Sequence, residues 1–529
     1  MPSFYSPFPP VPTRVVVIGG GIAGLATAAL LAKNGYAVTL LEKNQQLGGR
    51  TGRLSAGGFT WDTGPSWFLM PEAFDHFYEA MGTSTAKQLD LIPLDPAYRV
   101  FTEGLDPVDV PSGIERIAAV FEGIEPGAGA AVTEYLEQAA LSYELAVRHF
   151  LYTTFSSLRP FLTRELLGHL GLLATLLLGS LESLSADRFQ DVRLRQILQY
   201  PAVFLATTPR RAPALYHLLS YTDLVDAVRY PQGGFGTVID SIAQLARDNG
   251  VKIRTGACVE SIMTCGRTAR GVVFRDAATG RTERIEADVV VSAADKHHTD
   301  THLLPPPLQS PERAWQSRDP GISAVLVYLG VRGRLPELIH HQLLLSQQWE
   351  QDFARMSAPA SAGVAADGSN ALDFASESIY VCAPSKTDPH VAPEGDENLF
   401  VLVPTAALEE LGHGSISGEQ SAAVEKIAAH AVEIIARRAG IADLSSRIVQ
   451  CHTMGPADFA AHFHAWRGSA LGLAHTLRQS AFLRGSNKSD TVTGLYYAGS
   501  TTLPGVGLPM CLISAENVLT RLRQDGIKN

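Results

Sequence analysis

The chain opens on a run of β-branched residues, Val15-Val16-Val17-Ile18, apolar at every position, which predicts a strand buried on both faces. Three glycines follow, then a helical stretch to about residue 34, where Gly35 ends it. A second apolar run over 37–41, closed by Glu42, predicts a parallel strand joined to the first by a crossover helix. A helix is predicted over 74–81, and short strands with Pro and Gly punctuation over 100–111. From about residue 127 to 222 Leu, Ala and aromatic residues recur every three or four positions with few strand signals, which predicts a helical unit inserted into an α/β framework. The turn signal Tyr230-Pro231-Gln232-Gly233-Gly234 then feeds an amphipathic helix to about residue 248. Strands are predicted at 251–254, 271–274, 287–292, 324–329 and 399–403, with a hairpin across 278–280 and a loop or mobile flap over the Ala, Ser and Gly-rich stretch 357–370. The chain ends on a strand near 494–498, a turn-rich loop and a helix over about 510–523.

Composition adds one feature to this pattern. Charged residues make up 18% of the 529 and hydrophobic residues 46%, against about 25% charged in average soluble domains. Mean hydropathy is +0.06. So little charge implies a large core or an apolar partner. Lys+Arg 43 and Asp+Glu 53 give a formal charge of −10, and no basic run exceeds a pair such as Arg210-Arg211, which argues against nucleic acid. The length predicts two or three domains. Five cysteines, without a CxxC pair, point to a reducing, cytoplasmic setting without disulfides or structural zinc. Residues 1–13 contain no basic residue and no apolar core of a signal peptide, and read as a short disordered arm. The longest apolar stretch, 166–181, is interrupted by glycines, His169 and Thr175 and falls short of the roughly 20 residues of a membrane span.

Candidate chemistry begins at the glycines. In Gly19-x-Gly21-x-x-Gly24 the first glycine allows a tight turn, the second lets the backbone approach a pyrophosphate, and the third lets helix and strand pack closely. The diphosphate then sits on the helix N-terminus. Glu42, at the end of the next strand, is placed to accept ribose hydroxyls, so the segment predicts a dinucleotide on a Rossmann-type sheet. NAD(H) and FAD share that fold, and the later segments decide between them. Leu47-Gly48-Gly49-Arg50 lets the chain pass near the rest of a long cofactor, with Arg50 offsetting phosphate or flavin charge. The loop Gly505-Val506-Gly507-Leu508-Pro509-Met510 opens a helix whose N–H groups can face an isoalloxazine carbonyl and stabilise negative charge on a reduced flavin.

These segments, with Asp62-Thr63-Gly64-Pro65, Tyr230 to Gly234, Ala287 to Asp295, Tyr328 to Val331, Ala383 to Pro389, Ala392 to Gly395 and the run from Gly499 through Ile513-Ser514-Ala515, carry a family likeness. Over nearly its whole length the chain resembles the bacterial-type phytoene desaturase family, which also contains carotenoid isomerases and retinol saturases. It departs at Thr502-Leu503-Pro504, where many members carry Thr-His-Pro, which bears on that side chain's role and not on the cofactor fold. The resemblance implies an α/β fold: a discontinuous Rossmann-type FAD-binding domain (14–100, 225–300 and 485–529), a mixed α+β substrate domain (101–126 and 301–484) and an inserted helical lid that contacts the membrane (127–224). It implies FAD bound by Gly19, Gly21, Ile22, Ala23 and Gly24, by Glu42 and Lys43, by Gly49 and Arg50, by Gly64, Pro65 and Ser66, by Val259, and by Gly499, Gly507, Leu508, Pro509 and Met510.

The implied activity is FAD-dependent desaturation of phytoene to a more conjugated carotene of the neurosporene or lycopene type, at the inner face of a membrane, with oxygen or a quinone as electron acceptor. A long isoprenoid hydrocarbon offers no polar group, so an apolar tunnel must select it. The Leu-rich stretch 150–184 reads as tunnel wall and membrane-contacting lid or as ordinary helical core. A hydride is expected to pass from an allylic carbon to the flavin N5 while the neighbouring carbon loses a proton; the delocalised cation makes placement matter more than a strong base. No acid–base pair stands out: Arg159 and Glu165 are candidates near the tunnel, and each also reads as a solvated or membrane-facing charge. His297-His298, His340-His341 and His462-x-His464 lack a spaced carboxylate or cysteine to complete a ligand set, so no metal is expected. The alternatives are cis–trans isomerisation, a retinol-saturase-like reaction, and oxidation of a soluble amine in a polar pocket.

Overall fold

The computed structural model describes residues 12–156, 161 and 163–527, so most of the expected arm and the candidate Arg159 lie outside the described residues. The apolar run near the start becomes the central strand, Arg14–Ile18, of a five-stranded parallel sheet in the order Leu495–Tyr497, Val289–Ser292, Arg14–Ile18, Ala37–Leu41, Lys252–Arg254. Alternate side chains of a strand point to opposite faces, and here both faces are covered. Val15 and Val17 pack with Val38, Leu40, Val289 and Val291 against the helices Ile22–Lys33, Gly236–Asp248 and Leu508–Gln524. Val16 and Ile18 pack with Leu41, Val290 and Tyr497 against a three-stranded antiparallel sheet, Ala257–Cys265, Thr268–Asp276 and Thr282–Glu286. The last helix starts at Leu508, two residues before the expected position, because Pro509 fits its first turn.

A second sheet has seven strands in the order Ile448–Met454, Ile322–Val331, Glu397–Ala406, Ile379–Cys382, His341–Leu345, Tyr98–Thr102, Val108–Val110. Neighbours are antiparallel except His341–Leu345 beside Tyr98–Thr102. On its long strand Val325, Val327, Leu329 and Val331 face the helix Ala422–Arg438, while Ala324, Leu326 and Tyr328 face Phe59 and Trp61 of the hairpin Arg53–Ala56/Phe59–Asp62. The strand Tyr98–Thr102 straddles the boundary drawn at residue 100 and joins this second sheet.

The helical region begins at Ile114–Ile124, earlier than residue 127, and that helix packs on Ala128–Ala146. Phe121, Val132, Tyr135, Leu136, Leu194 and Ile197 form a core continuous with Tyr98 and Val100. The Leu-rich stretch breaks into three short helices, Arg164–Gly168, Leu170–Leu178 and Leu181–Ala186. Leu167, Leu170, Leu177 and Leu178 stay exposed, at 51%, 55%, 39% and 83%. No helix of the described residues is long and apolar enough to cross a membrane. The expected flap contains the turn Ala360–Ala362, and the Asn370 side chain ties it to Gly363 and Ala365.

Candidate active site

The glycine motif folds as its spacing requires. A Cβ on Gly24 would stand 1.9 Å from the Gly19 carbonyl oxygen, so only glycine lets this helix start so close to the strand. Gly48 donates its N–H to the Gly20 carbonyl (2.8 Å), and Gly49, at φ +58°, passes so close that its Cβ would lie 3.2 Å from the Cα of Gly21. Gly21 is the N-cap of Ile22–Lys33 and offers no capping side chain, which leaves the first-turn N–H groups to a ligand. Glu42, 4% exposed, accepts from Gly20 N–H (2.6 Å) and Asn44 N–H (2.7 Å), which fixes its carboxylate at the end of the second strand.

The last helix brings the other end of the chain to the same place. Its N-cap Gly507 (φ +118°) also carries no capping side chain, and a Cβ on Gly499 (φ +115°) would touch the Ala23 side chain at 3.6 Å. Two uncapped helix N-termini thus open on one cavity of about 510 Å³. Of the residues expected to hold a cofactor, Gly19, Gly21, Ile22, Ala23, Glu42, Lys43, Gly49, Arg50, Gly64, Pro65, Ser66, Val259, Gly499, Gly507, Leu508, Pro509 and Met510 line it. Gly24 is set behind the wall, packed on Gly19. Arg50 is half-buried, donates to the Ser469 carbonyl (3.3 Å) and leaves its Nε, which is out of contact with solvent, without a partner among the described residues. Burial holds its guanidinium below the ordinary value, opposed by the nearby Asp295. An orphan guanidinium N–H, an open glycine cradle and two uncapped helix ends fit a dinucleotide diphosphate and an isoalloxazine.

Away from the glycines the cavity is walled by apolar side chains from both remaining units. Leu326, Phe400 and Leu402 come from the second sheet, and Leu151, Phe204 and Leu219 from the helical region. Polar groups there are few. Ser66 Oγ and Tyr380 Oη are hydrogen-bonded at 2.7 Å, and Tyr380 Oη meets His341 Nδ1 at 2.7 Å beneath Trp67, which stacks on the imidazole at 4.8 Å.

Several motifs prove to be supports. Asp62 accepts from Phe235 N–H (2.8 Å) and Gly236 N–H (3.1 Å), at the start of the helix Gly236–Asp248, and burial raises its carboxyl to about 6. Asp388 accepts from Gly233 N–H (2.8 Å). Three sequence-distant motifs therefore brace one turn. Glu165, offered as an acid–base candidate, is absent from the cavity wall: its carboxylate pairs with Arg148 (2.5 Å) and His149 (2.8 Å) at the surface, which holds it below its ordinary value.

His297 and His298 lie on the helical turn Lys296–His298, and His298 stacks on His464 at 3.8 Å. The sequence offers no cysteine spaced to join His340-His341, yet strand register sets Cys382 opposite His341, and the donors of the three buried residues lie within 4.8 Å. The Nδ1 atoms of His340 and His341 are hydrogen-bonded to Thr387 and Tyr380. His475 was not legible as a site residue. Its Nε2 accepts from Val506 N–H (3.1 Å), so the ring proton sits on Nδ1 and donates to Tyr216 Oη (2.9 Å), which meets Ser480 Oγ at 3.0 Å. Both nitrogens are committed, and burial holds the ring neutral, well below its ordinary value. A Cβ on Gly505 would overlap this ring at 2.2 Å. An imidazole does reach this loop, from residue 475 and not from 503.

With this geometry in hand, the comparisons with known proteins give the class. The chain belongs to the flavin-containing amine oxidoreductase family, whose model matches residues 22–521, and is by class an FAD-dependent oxidoreductase. It is 40% identical over 517 residues to the carotenoid 3,4-desaturase of Haloarcula japonica, covering 97% of this chain and 98% of that one. It is 33% identical over 516 residues to the zeta-carotene-forming phytoene desaturase of Myxococcus xanthus, covering 96% and 93%. The fold matches that of a wild-type putrescine oxidase bound to putrescine with a TM-score of 0.58 at 16% identity, covering 98% of this chain and 99% of that one.

Proposed function

We propose that the chain is an FAD-dependent carotenoid desaturase, which introduces a double bond into a long isoprenoid chain by removing hydrogens from adjacent carbons. The observation that carries this reading is one cavity joining two uncapped helix N-termini to a wall of leucine, phenylalanine and methionine side chains. Bound FAD supplies the two-electron acceptor. Gly21, Gly49 and the first turn of Ile22–Lys33 would receive its diphosphate, Glu42 its ribose, and the 505–510 segment its isoalloxazine. The apolar wall orients the polyene and keeps water from capturing the delocalised cation, whose formation needs placement more than a strong base. A soluble amine requires polar partners for an ammonium group, and the far wall offers few.

Phytoene is the first substrate proposed, with a neurosporene- or lycopene-type product. A second reading, action on a carotenoid at its 3,4-bond, is favoured by the higher identity to the Haloarcula relative. The exposed leucines of the helical region, with Leu477, Phe482 and Leu483 at 49%, 52% and 60%, support attachment to a membrane surface on the cytoplasmic side, from which such a substrate is drawn. Expression in hosts that accumulate phytoene or lycopene separates the readings. New pigment in the phytoene host supports the first, and a red shift only in the lycopene host supports the second. Unchanged pigment in both, with a coloured poly-cis carotene changing its spectrum instead, would replace desaturation by isomerisation.

A further inference from the structure

Among the described residues Arg484 is the only lysine or arginine that is fully buried, with 1% of its surface exposed. Its guanidinium donates to four main-chain carbonyls: Nε to Thr502 (3.2 Å), Nη1 to Gln479 (3.2 Å), and Nη2 to Leu473 (3.2 Å) and Ser500 (2.6 Å). The charged and titratable neighbours facing it are Tyr216, Arg318 and the buried His475, and no carboxylate pairs with it among the described residues. Burial lowers it to about 10, so it stays a cation at neutral pH. By contrast the largely buried side chain of Arg438 pairs with Glu103 at 3.4 Å, and Arg50 has Asp295 nearby. Carbonyl dipoles satisfy four of the five N–H groups of Arg484 but leave its charge without a counter-ion, a costly arrangement in a protein interior.

Its position suggests where the counter-ion comes from. Ser500 and Thr502 belong to the loop that carries Gly499, Ser500, Pro504 and Val506 into the cavity wall. Behind that loop stands Arg484, and ahead of it the uncapped N-terminus of Leu508–Gln524 opens on the cavity. Charge and helix dipole have the same sign, so both favour an anion on the cavity side. Two electrons and one proton taken up by an isoalloxazine leave it with one negative charge, while the other proton of the substrate pair is released. We propose that Arg484 is the electrostatic positioning residue of the flavin site: its unpaired charge shapes the 499–507 loop from behind and has its counter-charge in the anion of the reduced cofactor. The proposal rests on the reading that this cavity holds a flavin.

The test compares purified holoenzyme with Arg484→Met, Arg484→Gln and Arg484→Lys, reading FAD content, thermal midpoint and the reduction potential by equilibration with a redox dye. The neutral variants are expected to shift the reduced-to-oxidised ratio at least tenfold toward oxidised, about 30 mV for a two-electron couple. Arg484→Lys keeps the charge and is expected to stay within about threefold of wild type. Neutral variants at the wild-type potential, or a Lys variant shifted as far as they are, would reduce Arg484 to a loop brace and overturn the proposal. Should neither neutral variant fold, the wild-type potential is followed with pH. An anionic reduced flavin predicts a slope of about 30 mV per pH unit from pH 8 to 5.5, and a doubled slope across that range overturns the proposal. Protein that purifies without flavin and takes none up overturns the flavin reading with it; flavin-replete protein with an unmoved potential overturns this inference alone.

Discussion

The exposed leucines give the most quantitative prediction. Leu178 and Leu170 leave 83% and 55% of their surface in water, on a helix with no charged residue between Leu170 and Leu178. Full burial of a leucine side chain contributes about 1.5–3 kcal/mol, so moving these two exposed fractions into lipid stabilises the bound state by about 3 kcal/mol together. At about 1.4 kcal/mol per factor of ten, Leu170→Asp with Leu178→Asp should weaken partitioning onto liposomes about 100-fold. Neither side chain supports the core, so FAD content and thermal midpoint should stay at wild-type values. Flotation with uncharged vesicles over a lipid series measures the partition constant. A change below about threefold, with the protein still folded and flavin-loaded, would refute the idea that this patch meets the membrane. Phe482 is the natural second site, since its ring contacts Phe155 and Phe161 at 4.7 and 5.4 Å, next to the short helices.

Three further outcomes follow from the geometry. Gly24→Val, whose Cβ would stand 1.9 Å from the Gly19 carbonyl, should cost about 3 kcal/mol by overpacking and yield protein free of FAD, read from its visible spectrum after gel filtration. Gly505→Ala pushes into the His475 ring at 2.2 Å and should break the Val506 N–H bond, perturbing the flavin spectrum and lowering FAD retention while the thermal midpoint of the apoprotein changes little. Asp223, buried beside Tyr98 and Tyr200, has its carboxyl raised by burial to about 7. A raised carboxyl adds stability below its unfolded value of about 3.9 and loses it as pH climbs through about 7. The thermal midpoint of wild type relative to Asp223→Asn should therefore fall between pH 4 and pH 8, and a difference that does not change with pH contradicts the assignment.

Local chemistry was legible and long-range assembly was not. The glycine motif, Glu42, Arg50 and the 505–510 segment each state a local requirement of turn, close approach or helix start, and the structure gathers them on one cavity. His475 left no signal because its role comes from a contact with Val506, 31 residues away, made only when the loop folds back. Nothing in the sequence around residue 484 marks Arg484 as a site residue, since burial of a long charged side chain is decided by what covers it. Asp62 looked like part of a cofactor loop, yet its bonds go to Phe235 and Gly236. The His341–Cys382 juxtaposition follows from strand register, which spacing along the chain does not carry. The helical boundary moved from 127 to 114 because a helix that packs on its successor carries the same apolar spacing as a helix that covers a sheet.

The proposed function requires one cavity to hold both a flavin and an apolar polyene. Anaerobic mixing of the FAD-loaded protein with phytoene or lycopene in liposomes, followed by absorbance, tests this directly. The expected result is bleaching of the flavin band in step with new polyene absorbance at longer wavelength, one flavin reduced per double bond formed. Flavin that stays oxidised with both carotenoids but bleaches with a mono- or diamine, and releases hydrogen peroxide when oxygen is admitted, would contradict it.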